Sequence, residues 1–238
     1  YYGKPAHWFL GGAVRDRVLV DYWIGIQTSD DARRNTYLAL ERGCCGMKLK
    51  HTANTPTHEV CEAIWDVAGH DFTLTLDPDQ RFWRFTEALQ LARSLVATGG
   101  KITSFENPMP TWNLDAYRMF RKQGVVPVCL TLSDPSSIIS AIKAEAVDHL
   151  NLGGNMIQFV RNAAIAHAAG IPCRHGAGND CGIQECANLH AAASARNCVL
   201  GSDFPGSWTR ADDLVVEGLE FDEGHAIVPH RPGLGCEL

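Results

Sequence analysis

Lys48 and Lys50 close a short apolar run, Gly46-Met47-Lys48-Leu49-Lys50, with one residue between them. Side chains alternate between the faces of a β-strand, so the two ammonium groups share one face. Two later runs end in acids, Leu74-Thr75-Leu76-Asp77 and Ile102-Thr103-Ser104-Phe105-Glu106. Carboxylates at the ends of neighbouring strands repel unless a cation stands between them, and two hard oxygen donors facing a cavity suit Mg²⁺. An amine near such an ion loses its proton more readily, because a like charge disfavours the ammonium form. The neutral amine can then take a proton from carbon while the ion stabilises the oxygens of the resulting enolate. Lys50 is the candidate base and Lys48 its electrostatic partner. The competing readings are an edge strand with snorkelling lysines and a helix cap at Asp77.

Such a constellation needs strands that end together. Strand-like runs fall at 18–26, 46–50, 72–76, 102–105, 127–131, 147–152, 171–174 and 198–201. Helical spacing fills the intervals 30–42, 57–67, 81–98, 114–122, 135–145, 157–169 and 182–195. Pro56, Pro78 and Pro135 stand where helices begin, and Gly43, Gly69, Gly124 and Gly170 where they stop. Strict alternation means parallel strands joined by right-handed crossovers, and eight strands fit a closed barrel of about 250 residues. Function in such barrels gathers where strands end. The polar residues there are Lys48, Lys50, His51, Asp77, Glu106, Asn151, His175 and Asp203. His51, His58, His70 and His190 read as packing or surface residues, and Gly-Ala-Gly-Asn-Asp at 176–180 as a loop.

Composition narrows the partners. The chain has 238 residues, 45% of them hydrophobic, and a formal charge of −6 without a basic block, which argues against nucleic acid or an anionic membrane surface as partner. Nine cysteines lie scattered without CxxC spacing and read as reduced thiols of a cytoplasmic protein. No apolar run is long enough to span a bilayer. The first and last residues, Tyr-Tyr-Gly-Lys-Pro and Gly-Leu-Gly-Cys-Glu-Leu, read as the interior of a longer protein.

Lys-x-Lys on the second strand, Asp77 on the third and Glu106 on the fourth together resemble the enolase superfamily, in its mandelate racemase / muconate lactonizing branch. FLGGAVRDRV at 9–18, ENPMP at 106–110, GGNM at 153–156 and VPHRPGLGCEL at 228–238 extend the resemblance over essentially the whole chain. It implies an α/β fold, a TIM-type modified (β/α)7β barrel. Residues 18–211 would form the barrel, 1–17 a linker from a missing N-terminal capping domain, and 212–238 a tail that packs against that domain. It implies Asp77 and Glu106 as two of three Mg²⁺ ligands, Lys50 as base, Lys48 as holder of the substrate carboxylate and His175 as the group on the opposite face. Asn151 and Asp203 become candidate substrate contacts, and a homo-oligomer is expected.

The implied activity is Mg²⁺-dependent abstraction of the proton next to a carboxylate, through an enediolate. The substrate is a small carboxylate, an acid sugar, hydroxy acid or amino-acid derivative. The outcome is racemisation, epimerisation or cycloisomerisation, or acid-sugar dehydration, so the enzyme would be an isomerase or a lyase. This chain departs from the pattern at three places. Thr131-Leu132-Ser133 stands where the third acidic ligand is expected, with Asp134 nearby but shifted. The sixth strand offers Asn151, with Asp148 deeper, in place of an Asp or Lys partner, and Asp79 stands where the family often has Asn. The alternative is therefore a catalytically impaired barrel that serves as a binding or structural subunit.

Overall fold

Thr28 ends an extended segment, and its hydroxyl accepts from the Asp31 amide at 3.2 Å, which starts helix α1 (Ser29–Glu41). The same physics recurs at α4 (Leu114–Arg121), capped by Asn113. Helix α6 (Met156–Ala168) is closed by a capping box between Asn155 and Gln158. The computed structural model describes residues 2–52, 55–178, 180–204 and 206–238. Asn179 of the loop at 176–180 lies outside the described residues.

The remaining elements alternate as the spacing requires. Strand β2 (Tyr22–Ile24) precedes α1. Then come β3 (Gly46–Lys50), α2 (Thr57–Ala68), β4 (Thr73–Asp77), α3 (Phe85–Val96), β5 (Ile102–Glu106) and α4. Strand β6 (Val128–Leu132), α5 (Pro135–Lys143), β7 (His149–Leu152), α6, β8 (Cys173–His175) and α7 (Gly182–Ser194) complete the series. Strands β2 to β8 form one parallel α/β sheet in sequential order.

The chain divides into two compact units. One comprises Tyr22–Thr131 and Ile139–Leu150. Its strands bury Met47, Leu49, Leu74, Leu76 and Phe105 at 1% exposure or less. The alternate residues Lys48, Thr75, Asp77, Ser104 and Glu106 are also buried. One face is thus apolar core and the other a polar interior, where Ser104 and His149 share a hydrogen bond of 2.8 Å. Trp65 on α2 is buried and donates its indole N–H to the Phe72 carbonyl at 3.0 Å.

The other unit comprises Tyr1–Asp21, Leu132–Ile138 and Asn151–Leu238. A 3-10 helix (Ala6–Leu10) precedes β1 (Arg17–Leu19), and β1 pairs antiparallel with β10 (His225–Ile227), which pairs in turn with β9 (Phe221–Asp222). The Ala6 amide donates to Gly233 O at 2.7 Å, and the Gly233 amide to Lys4 O at 3.0 Å. The linker-like start and the tail are therefore hydrogen-bonded to one another within this unit.

Two expected strands take a different form. The run at 18–26 is divided between β1 and β2, because Asp21 interrupts it. Asp21 is 9% exposed and pairs with the Arg174 guanidinium at 3.4 Å, and its amide donates to Ser202 O. A charge with a fixed partner anchors the chain at that point and turns it out of one ladder into another. The expected eighth strand at 198–201 is reduced to isolated bridges, Cys173 with Cys198 and Val20 with Ser202.

Candidate active site

The register of β3 against β4 sets Lys50 beside Asp77 and Lys48 beside Thr75, and β4 against β5 sets Leu76 beside Phe105. Asp77 and Glu106 follow as neighbours at the C-terminal ends of adjacent strands, on the face that carries both lysines. Lys48 Nζ donates to Glu106 Oε1 at 2.8 Å and lies 3.4 Å from Asp77 Oδ2. Lys50 Nζ donates to Asp77 Oδ2 at 2.7 Å. Three of these side chains are at most 3% exposed, whereas the Lys50 side chain is 34% exposed. The constellation therefore has a buried floor and one partly exposed lysine side chain.

The backbone beyond the strands is set for this arrangement. Asp79, Gln80 and Asn107 all have positive φ (49°, 64° and 42°), a conformation non-glycine residues adopt at a cost and one that collects at functional loops. The Asp79 amide donates to Asp77 Oδ1 at 3.1 Å, and Gln80 N donates to Asn107 O at 2.7 Å. Asn107 then clamps the end of β6. Its Oδ1 accepts from the Thr131 amide at 2.9 Å and its Nδ2 donates to Thr131 Oγ1 at 2.8 Å. The Thr131 hydroxyl in turn donates to Glu106 Oε1 at 3.0 Å. Sequence reasoning did not single out Asn107. Its signal was present in Glu106-Asn107-Pro108, since Asn tolerates the left-handed region better than other non-glycine residues.

Burial pushes the Asp77 carboxyl above the usual carboxylate range. The Glu106 charge adds to this, and Lys48 and Lys50 oppose it. The two acids share a low-dielectric floor and tolerate each other through the two ammonium groups. Magnesium is the ion that the resemblance implies. Two buried carboxylates on neighbouring strand ends are a hard oxygen set, and Mg²⁺ is commonly held by one or two carboxylates with water and ligand oxygens completing the shell. Asp77 and Glu106 therefore fit the ion. Among the described residues, no three of His, Cys, Asp and Glu are grouped to hold one. At the end of β6 the side chain that reaches Glu106 is the neutral Thr131.

Beside these residues, within the same unit, lies a cavity of about 550 Å³ lined by His51, Thr57, Arg81, Phe82, Glu87 and Leu91 among others. His51 is 6% exposed, bonds Thr57 Oγ1 through Nδ1 and stacks on Phe82 at 5.7 Å. Burial pushes its pKa down to about 4.

The other unit brings His175, Asn151 and Asp203 together. His175 is 1% exposed and stacks on Phe159 with ring centroids 4.2 Å apart. Its Nδ1 faces Gly176 O at 2.8 Å, which fixes the proton on Nδ1 and leaves Nε2 as an acceptor, buried and without a hydrogen-bond partner among the described residues. Burial lowers its pKa to about 4. The Asp203 amide donates to His175 O at 3.3 Å. The Asn151 side chain packs against Gly176 so closely that a Cβ there would lie 2.3 Å from Asn151 Oδ1. Asp134 is exposed and caps α5: its Oδ1 accepts from Ser136 Oγ at 2.6 Å and from the Ser137 amide at 2.9 Å. Those bonds hold its carboxyl down at about 2.

The chain as a whole is matched by known proteins. The sequence profile of the enolase C-terminal domain-like family covers residues 31–238, and the chain belongs to that family. The chain is 26% identical over 247 residues to L-Ala-D/L-Glu epimerase of Clostridium acetobutylicum, covering 99% of this chain and 67% of the relative. It is 27% identical over 248 residues to arabinonate dehydratase of Saccharolobus solfataricus, covering 99% and 65%. Similarity to muconate cycloisomerase 1 of Rhodococcus opacus is 28% over 250 residues, covering 99% and 65%. The chain thus spans about two thirds of the length of these relatives. Its fold is shared with the N-succinyl Arg/Lys racemase structure from Bacillus cereus, at a TM-score of 0.89 and 23% identity, covering 99% of this chain and 64% of that one.

Proposed function

We propose that the chain is the barrel portion of an enolase-superfamily enzyme that removes the proton next to a substrate carboxylate. Residues 18–211 are the catalytic barrel in this reading, and self-association belongs to it. The observation that carries it is the Lys48–Lys50–Asp77–Glu106 cluster, in which only the Lys50 side chain is partly exposed.

Lys48 draws Asp77 and Glu106 together and turns a positive face toward an incoming carboxylate. Lys50 accepts the α-proton at Nζ, and Asp77 orients that nitrogen through the 2.7 Å contact. Asn107 fixes the end of β6, so the Thr131 hydroxyl stays on Glu106 while charge develops. A magnesium ion held by Asp77 and Glu106 would supply the Lewis acidity that stabilises the enediolate. Return of a proton to the opposite face of the carbon would give racemisation or epimerisation. Loss of a β-substituent instead would give dehydration. The relatives, an epimerase, a dehydratase and a cycloisomerase, support this general reaction class.

Incubation in D₂O with panels of dipeptides, acid sugars and hydroxy acids tests the proposal. One panel member should gain deuterium at the α-carbon, and Lys50→Ala should slow that exchange by about a hundredfold or more. Exchange that survives Lys50→Ala unchanged removes Lys50 as the base.

The second reading is a barrel that binds but does not turn over. It is favoured by the neutral Thr131 hydroxyl at the end of β6. A carboxylate that binds tightly yet shows no α-exchange in wild-type protein would select it.

A further inference from the structure

We infer that Thr131 keeps this site's own affinity for a divalent cation low and makes it depend on an anionic ligand, so that cation and carboxylate bind as a coupled pair. The inference rests on the magnesium reading above and concerns what this chain's residues do to it.

The cluster is already balanced. Two carboxylates, Asp77 and Glu106, face two ammonium groups, Lys48 and Lys50, at contact distances of 2.7 to 3.4 Å. These four side chains together offer an arriving dication no net negative charge, and it must compete with Lys48, which contacts both acids. The end of β6 is where more negative charge could come from, and it presents a hydroxyl. That hydroxyl is not idle. Its proton is committed to Glu106 Oε1 at 3.0 Å, and its oxygen accepts from Asn107 Nδ2 at 2.8 Å. Thr131 therefore donates to the same Oε1 that Lys48 holds, so that oxygen of the acid is occupied without a cation. Cation affinity at oxygen sites follows the count of charged ligands, so a set of two acids offset by two lysines is weak.

A ligand carboxylate reverses the balance. It draws the Lys48 ammonium toward itself and loosens its hold on Asp77 and Glu106, which are then available to the cation. Linkage makes the effect mutual: whatever the carboxylate does for the cation, the cation does for the carboxylate.

Calorimetric titration of the whole chain with MgCl₂, alone and with saturating malonate as the carboxylate probe, tests this. In wild-type protein, malonate should tighten Mg²⁺ binding by about tenfold or more, within the usual range of coupling between sites. Thr131→Asp should bind Mg²⁺ without malonate about tenfold or more tightly than wild type, because it adds a charged ligand. Thr131→Val, which removes the hydroxyl and adds no charge, should show no comparable gain. The inference is overturned if malonate leaves the wild-type Mg²⁺ affinity unchanged, or if Thr131→Val gains as much as Thr131→Asp. If Thr131→Asp fails to fold, the wild-type titrations with and without malonate still decide. If neither wild type nor Thr131→Asp binds Mg²⁺ under either condition, the magnesium reading itself is rejected, and the inference with it.

Discussion

Lys48 holds two acids at once, and that gives it a structural burden besides any chemical one. Its Nζ lies 2.8 Å from Glu106 and 3.4 Å from Asp77, with all three side chains at most 3% exposed. Removing the ammonium by Lys48→Met would leave two buried carboxylates facing each other. Breaking a buried ion pair from one side costs about 3–5 kcal/mol, and urea unfolding should show a loss of that order. A loss below about 1 kcal/mol would mean that Lys48 does not hold the acids together. The lysines and acids were legible in the sequence because strand alternation alone assigns them to one face. Thr131 was less so. The stretch Thr131-Leu132-Ser133 marked a missing acid, but only the Asn107 clamp shows that the threonine is the residue that meets Glu106.

At the scale of elements, β3 to β7 and all seven of the expected helices lie within a few residues of where periodicity puts them. Their caps and breakers are local, and local chemistry is what a sequence displays. The division at Asp21 depends on partners far along the chain, Arg174 and Ser202, and the bridges left of the eighth strand on Val20 and Cys173. No window around Val18 or Cys198 contains that information. Packing of helices against strand ends is equally non-local. Gly100, just before β5, faces the Trp65 ring of α2, and a Cβ there would lie 2.2 Å from a ring carbon. Trp65 is held by its bond to Phe72 O and cannot simply rotate away. Gly100→Ala should therefore destabilise by about 1–3 kcal/mol, the usual range for overpacking. A melting temperature equal to wild type would show that Trp65 has room to move.

Across the whole molecule, several histidines are buried in neutral form. His51, His175 and His190 are all pushed down to about 4, in each case chiefly by burial. The unfolded chain takes up these protons near pH 6.5, and the folded chain resists until about pH 4. Stability is thus fully present above pH 6.5 and falls as the pH drops toward 4. Each group contributes up to about 1.4 kcal/mol per pH unit in that window. Melting curves between pH 7 and 5 should slope accordingly, and His190→Gln should make the slope shallower. An unchanged slope would show that His190 takes up its proton in the folded state as readily as in the unfolded one. Among the described residues no helix is long and apolar enough to cross a membrane.

The pairing of β1 with β10 carries a consequence for how the chain is made. Leu19 lies opposite His225, so once synthesised β1 waits for a partner roughly two hundred residues later. On the ribosome β1 emerges before the strand it pairs with, and it can be zipped up only when translation has passed Ile227. Nascent chains stalled before that point should hold β1 in a form that proteases cut, while chains stalled far enough beyond it should protect it.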